Sequence, residues 1–319
     1  MSDTTAAAPA TPQPPASQPP ASQPVLQQGL PIRHLLLALA VVAVWGTNFV
    51  VIKVGLAHLP PLTFAALRFT FAAFPAVFFL KRPQVRWRNL ASYGVLIGAG
   101  QFGLLYIAMG HDISPGLASL VVQSQVFFTI GMAAFISRER VRGFQIAGLA
   151  LGVAGIAVIA AHASGGATPL GLMLVLAAAL SWSGGNLLAR AAGPVNMLSY
   201  VVWASLFSAP PLYAAALLFE GWPRIAAGLQ AADAATWAAV AWQTVGNTLF
   251  GYSLWGWLLA RHPAAVVSPM ALLVPVFGMG ASAILLAEPL PAWKLAAAAL
   301  VMAGLAVNML WPRLLGRMG

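Results

Sequence analysis

The sequence predicts an all-α integral membrane protein with ten transmembrane helices, built as two inverted five-helix repeats. Three observations predict it. Hydrophobic residues make up 60% of the 319-residue chain and charged residues only 7%, with a mean hydropathy of +0.84, whereas soluble domains carry roughly 25% charge. Apolar runs of about 20 residues recur from Arg33 to Trp311, each long enough to cross a hydrocarbon core of about 30 Å as a helix. The chain also repeats itself. VAGIAV at 153–158 matches MAGLAV at 302–307 at an offset of 149, and the same offset takes Glu139 to Glu288 and 144–147 to 293–296. Nearer the start of each half, Trp45 and Lys53 map onto Trp182 and Arg190 at an offset of 137, the difference falling in loops.

Residues 1–28 are rich in Pro, Ala, Ser and Gln and nearly free of charge. They bury too little apolar surface to offset the entropy of ordering, so a disordered tail is expected. They also lack the basic start and small-residue cleavage site of a secretory signal, which leaves the first span as an uncleaved anchor. Breaks at charged, Pro-rich or Gly-rich points then set the spans. The first unit, 33–161, holds 33–53, 61–80, 90–110, 114–137 and 143–161. The second, 169–311, holds 169–190, 197–219, 236–260, 264–287 and 291–311, and a short tail follows at 312–319. Five is odd, so the second unit enters the membrane upside down. Secondary transporters use inverted repeats of this kind, with substrate sites near the midplane between the repeats.

Lys and Arg set the orientation. With the N-terminus in the cytoplasm, Arg33, Lys81, Arg82, Arg86, Arg88, Arg138, Arg140, Arg142, Arg190, Arg261, Arg313 and Arg317 fall inside, against Lys53, Arg224 and Lys294 outside. Both termini are therefore expected in the cytoplasm. The net charge of +10 marks no nucleic-acid surface, because the basic residues sit in short clusters between apolar runs. The chain has no cysteine, hence no disulfide framework and no thiolate metal site.

Depth separates the polar residues within spans. Counted from Arg33, Trp45 lies roughly 18 Å in and Asn48 roughly 22 Å, while Lys53 reaches about 30 Å, the outer edge. Lys53 is expected to snorkel into the outer headgroups. Trp45 is too deep for the interfacial aromatic belt and shares a helix face with Asn48. Asn48 either lines a cavity or ties neighbouring helices by a hydrogen bond. Gly46 is expected to allow close helix approach or a bend. Gln101 and Gln123 fall about 16 and 14 Å into their spans. Gln125, two residues on, points about 200° away from Gln123. Gln243 and Asn247 are four apart on one face of the eighth span, with Tyr252 beyond them. Uncharged amides and aromatics suit a small polar organic solute, and interhelical hydrogen bonding is the alternative. Arg68 is the one strong charge away from an edge. It either holds a substrate carboxylate or snorkels outward and bonds helix-end carbonyls. Pro115, Pro269 and Pro275 are expected to interrupt the fourth and ninth spans, as hinges or as tolerated kinks. Glu139 and Glu288 precede the fifth and tenth helices and are expected to act as caps there.

The candidate substrate-binding set is thus Asn48, Gln101, Gln123, Asn247 and Tyr252, with Trp45 and Trp182 shaping the walls and Arg68 as a carboxylate contact. No acid lies near the midplane: Asp3 is in the tail, and Asp112, Glu139, Glu220, Asp233 and Glu288 fall at span ends or in loops, as do the five histidines. A membrane enzyme using a metal or paired carboxylates needs such groups clustered. No catalytic residue, metal or cofactor is therefore expected. The pattern also speaks against a proton relay through a buried acid and against a cation-drug antiporter built on a membrane glutamate.

The stretches VWGTNFVVIKVGL, PPLTFAALRF, SPGLASLVVQSQVFFT, SRERV, SWSGGN and SPMALLVPVFG resemble, in order, those of the EamA family of the drug/metabolite transporter superfamily. The resemblance covers 33–311, both repeats, and leaves out only the Pro-rich tail. It implies ten helices in the bacterial inner membrane and alternating-access export of small amino-acid-like metabolites, of the cysteine or O-acetylserine kind. The expected partners are that solute and the lipid bilayer, with a homodimer left open and no nucleic acid. A multidrug or nucleoside exporter of the same fold is the alternative, and a non-transporting membrane enzyme or sensor the remoter one.

Overall fold

The computed structural model describes residues 30–137, 141–162, 166–262 and 264–315. The expectations for residues 1–28 and for Glu139 lie outside them. Among the described residues the regular structure is helical. In chain order the helices are α1 (Ile32–Gly55), α2 (Pro61–Ala73), α3 (Trp87–His111), α4 (Pro115–Ile136), α5 (Gly143–Ala161), α6 (Pro169–Ala191), α7 (Met197–Phe219), α8 (Trp222–Ala231), α9 (234–261), α10 (264–285) and α11 (Ala292–Leu315). Nine of these, all but α8 and α9, are long and apolar enough to cross a membrane, α2 when extended to Phe78. The chain is a multi-pass membrane protein.

α9 departs from that pattern for a chemical reason. It extends about 42 Å at 1.5 Å per residue, but Gln243, Thr244, Asn247, Thr248, Tyr252 and Ser253 make it more polar than its neighbours. α8 occupies a stretch the hydropathy pattern leaves as a loop. It buries Ile225 and Gly228, and a Cβ on Gly228 would lie 2.6 Å from Pro60 Cδ, so α8 packs on the turn between α1 and α2. α11 runs through Leu315, which makes helix of part of the expected tail. Pro115 does not interrupt a span: it is the first residue of α4, where a missing N–H costs nothing. Pro275 lies inside α10, and Pro269 lies in the 3₁₀ stretch Ser268–Leu272 of the same helix.

Irregular turns occur at matched places in the two halves. α3 widens to a π-helix over Leu96–Gly103, and α9 does so over Gln243–Phe250. α4 tightens to 3₁₀ at Val122–Ser124, and α10 at Ser268–Leu272. The contacts are matched too: α1 packs on α9 and α10, α6 on α3 and α4, and α2, α4 and α5 on α7, α10 and α11. Small residues bring these pairs together, as expected where lipid supplies no hydrophobic drive between helices. A Cβ on Gly148 would lie 2.7 Å from the Gly304 carbonyl of α11. One on Gly46 would lie 2.4 Å from Phe277 Cβ of α10, so Gly46 does allow close helix approach.

Candidate functional site

Most of the polar side chains singled out from the sequence share one slab. Measured along each helix from the end nearest Lys53, Asn48, Arg68, Gln101, Gln123, Gln243 and Trp45 fall about 10–15 Å deep. Asn247 and Trp182 fall about 20 Å deep, and Tyr252 about 27 Å. The amides are buried, Asn48, Gln101, Gln123 and Asn247 each being no more than 6% exposed.

The two π segments carry much of this chemistry, Gln101 in α3 and Gln243 with Asn247 in α9. A π turn disturbs the backbone ladder and frees groups for other partners. Here the Asn247 carbonyl accepts from Trp45 Nε1 at 3.2 Å, and the Gln243 carbonyl accepts from Thr248 Oγ1 at 2.9 Å. Gln243 Nε2 donates to Asn48 Oδ1 at 2.7 Å, joining α1 to α9. The Trp45 ring packs against Tyr252 and Trp255, with centroids 5.8 and 5.2 Å away, and fills the space a Cβ on Gly251 would need. Trp45, Asn48, Asn247 and Tyr252 therefore form one group, to which the structure adds Gln243. Its four-residue spacing from Asn247 was the sequence signal.

Gln123 lies buried in the 3₁₀ turn of α4. Gln125 points elsewhere, accepting from Asn186 Nδ2 of α6 at 2.7 Å. Trp182 packs on the core from α6, half-buried. Among the described residues no hydrogen bond or ring contact ties it to the amide group.

Arg68 corrects an expectation. It does not snorkel or bond helix-end carbonyls: the side chain is 1% exposed and points into the bundle. Its guanidinium lies 3.6 Å from the ring centroid of Phe102, and Nη1 donates to the Tyr106 hydroxyl at 3.3 Å. The aromatic face of α3 offers a polarisable seat that a route to the headgroups lacks. Among the described residues Arg68 has no carboxylate partner, and its Nε has no hydrogen bond. Gln243 Oε1 and Ser124 Oγ are likewise buried without a partner.

The Lys53 end of the bundle is tied by charge. Lys53 does not reach into headgroups: Nζ donates to the carbonyls of Met109 and Gly110 at 3.2 and 3.1 Å, where the negative end of α3 attracts a cation. Glu288 caps α4 rather than the tenth span it precedes, accepting from the Gly116 amide at 3.0 Å and from Ser114 Oγ at 2.5 Å. It also accepts from Ser282 Oγ of α10 and forms a buried ion pair with Lys294 Nζ of α11 at 2.9 Å. Burial pushes the Glu288 carboxyl up, but these hydrogen bonds outweigh it and hold the group below its ordinary range. Glu220 caps α2 in a similar way through the Leu62 and Thr63 amides. Sequence reasoning assigned Glu288 to the wrong helix and gave Glu220 no cap, because each acid caps a helix distant in the chain. A hollow of about 730 Å3 opens beside Glu288, lined among others by Lys53, His111, Asp112 and Thr168.

The profile of the EamA-like transporter family matches residues 32–161 and again 169–310. The chain belongs to the EamA-like transporter family. It is 44% identical over 278 residues to a protein of Salmonella typhimurium described as a probable amino-acid metabolite efflux pump, covering 85% of this chain and 93% of the relative. An Escherichia coli protein of the same description is 42% identical over 279 residues, with the same shares of both chains. A Streptantibioticus cattleyicolor protein described as a probable terminal-alkyne amino-acid exporter is 28% identical over 288 residues, covering 86% of this chain and 92% of the relative. One solved crystal structure shares the fold with a TM-score of 0.59 at 21% identity, over 90% of this chain and 99% of that one. As an EamA-like family member the chain is a transporter of small molecules and not an enzyme.

Proposed function

We propose that the chain exports small amino acids or related metabolites, of the cysteine or O-acetylserine kind, across a bacterial inner membrane by alternating access. The observation that carries this is the slab of buried, uncharged amides and aromatics between the two halves, with Asn48, Gln101, Gln123, Asn247 and Tyr252 as substrate contacts. Trp45 and Trp182 shape the walls, and Arg68 supplies a cation at the same depth. Such groups offer donors and acceptors without a buried acid. The descriptions of the relatives as amino-acid metabolite efflux pumps support the solute class and the direction. The paired π segments, paired 3₁₀ turns and matched packing support two inverted five-helix repeats, 33–161 and 169–311, with α9 as the eighth span, which brings the total to ten. The amides are buried here, so export requires the halves to part around them.

The test is metabolite release into the medium from cells overproducing the chain, against an empty vector and against Asn48→Leu and Gln123→Leu at equal membrane abundance. A selective rise in cysteine, O-acetylserine or a neighbour is expected. Each variant is expected to lower it about tenfold, the loss of one to two buried hydrogen bonds. Normal export by both variants would move the pathway elsewhere. A rise only in drugs or nucleosides would keep the fold and change the solute class.

A further inference from the structure

Three buried polar atoms in the slab lack partners, and their chemistry is complementary to a particular solute. Arg68 Nε is an unused donor on a permanent cation, Gln243 Oε1 is an unused acceptor, and Ser124 Oγ is a hydroxyl with neither role filled. The α2 helix that carries Arg68 packs directly on the π segment that carries Gln243 and on the π segment of α3. Burying a guanidinium without a counter-ion is costly, and a stacked ring with one hydroxyl offsets only part of that cost. A buried amide oxygen left without a donor is costly as well. The protein retains both at one depth, in helices that touch. We propose that Arg68 and Gln243 form a two-ended site for a zwitterion, the guanidinium taking the free carboxylate and Gln243 Oε1 taking the ammonium.

The planar fork of Arg68 suits a carboxylate, and Phe102 and Tyr106 fix the plane in which the fork lies. Gln243 is already held by its bond to Asn48, which leaves Oε1 aimed away from that partner. The site rests on the exporter reading above and adds a requirement to it. Solutes lacking a free carboxylate should be rejected, because a bound amide or amine leaves the buried cation unpaired, and sites built on buried polar groups discriminate strongly on that ground.

The experiment is counterflow in proteoliposomes holding the full chain. Labelled alanine, serine and cysteine compete in turn with their primary amides and with the corresponding amines that lack the carboxylate. The wild-type chain should favour each free amino acid over its amide by roughly ten- to a hundredfold, the worth of a charge-assisted hydrogen bond. Arg68→Gln should abolish that preference, Arg68→Lys should keep part of it, and Gln243→Leu should weaken amino acid and amine alike. Wild-type transport that treats acid and amide equally would overturn the carboxylate site and leave the exporter reading standing. No movement of any free amino acid by wild type would overturn both. The wild-type panel decides the matter even where Arg68→Gln fails to reach the membrane.

Discussion

Glu288 joins three helices through one carboxylate: the start of α4, the end of α10 and the first turn of α11. The sequence marked it as a cap but named the wrong helix, because a carboxylate finds whichever amides folding brings beside it. Its folded pKa lies below the ordinary value of 4.5, so the stability it confers is present above that value and is lost as pH falls through the lower folded one. In detergent, the melting temperature of the wild type is expected to hold down to about pH 5 and to fall below about 4.5. Glu288→Gln should already be lower at pH 7, by about 3 kcal/mol in stability, since it strands a buried Lys294. The gap between the two should close on acidification. Equal melting at pH 7 would show that the carboxylate braces nothing. Arg68 teaches the same lesson. Its charge and depth were legible in the sequence, but its direction was set by Phe102 and Tyr106 on another helix.

At the scale of elements, the two π segments are what separate a set of apolar cylinders from a site. LIGAGQFG and QTVGNTLF show no propensity that announces a widened turn; glycines and amides fit ordinary membrane helix equally well. Only packing reveals the register shift. A π turn carries one residue beyond the α register, and removing it lets the ladder relax while the flanking faces stay aligned. Val245 is the residue to delete, since it is 58% exposed and fills no core space. The deletion is expected to leave membrane yield near wild type and to lower export at least about tenfold, by turning Gln243 and Asn247 out of their contacts with α1. Yield and export, measured on the same cells, separate this from misfolding. Unchanged export would mean that the widening is architectural.

For the whole molecule, the asymmetry of Lys and Arg predicts that the Lys53 end faces away from the cytoplasm. A reporter inserted at 56–58 should give the periplasmic signal, and one at 82–84 the cytoplasmic signal. The reverse pattern would invert the proposed direction of access. By itself the sequence determined the helical membrane class, most of the apolar helices and the family. Hydropathy, charge counts and motif order are properties of successive residues, and each can be summed along the chain. It also determined which polar groups lie deep. What only the tertiary structure decided is which of those groups meet: Asn48 with Gln243 across 195 positions, Arg68 with the rings of α3, and Glu288 with α4. A side chain's partner depends on how helices rotate and cross when small residues let them close, and that geometry is a property of pairs of helices, not of either sequence alone.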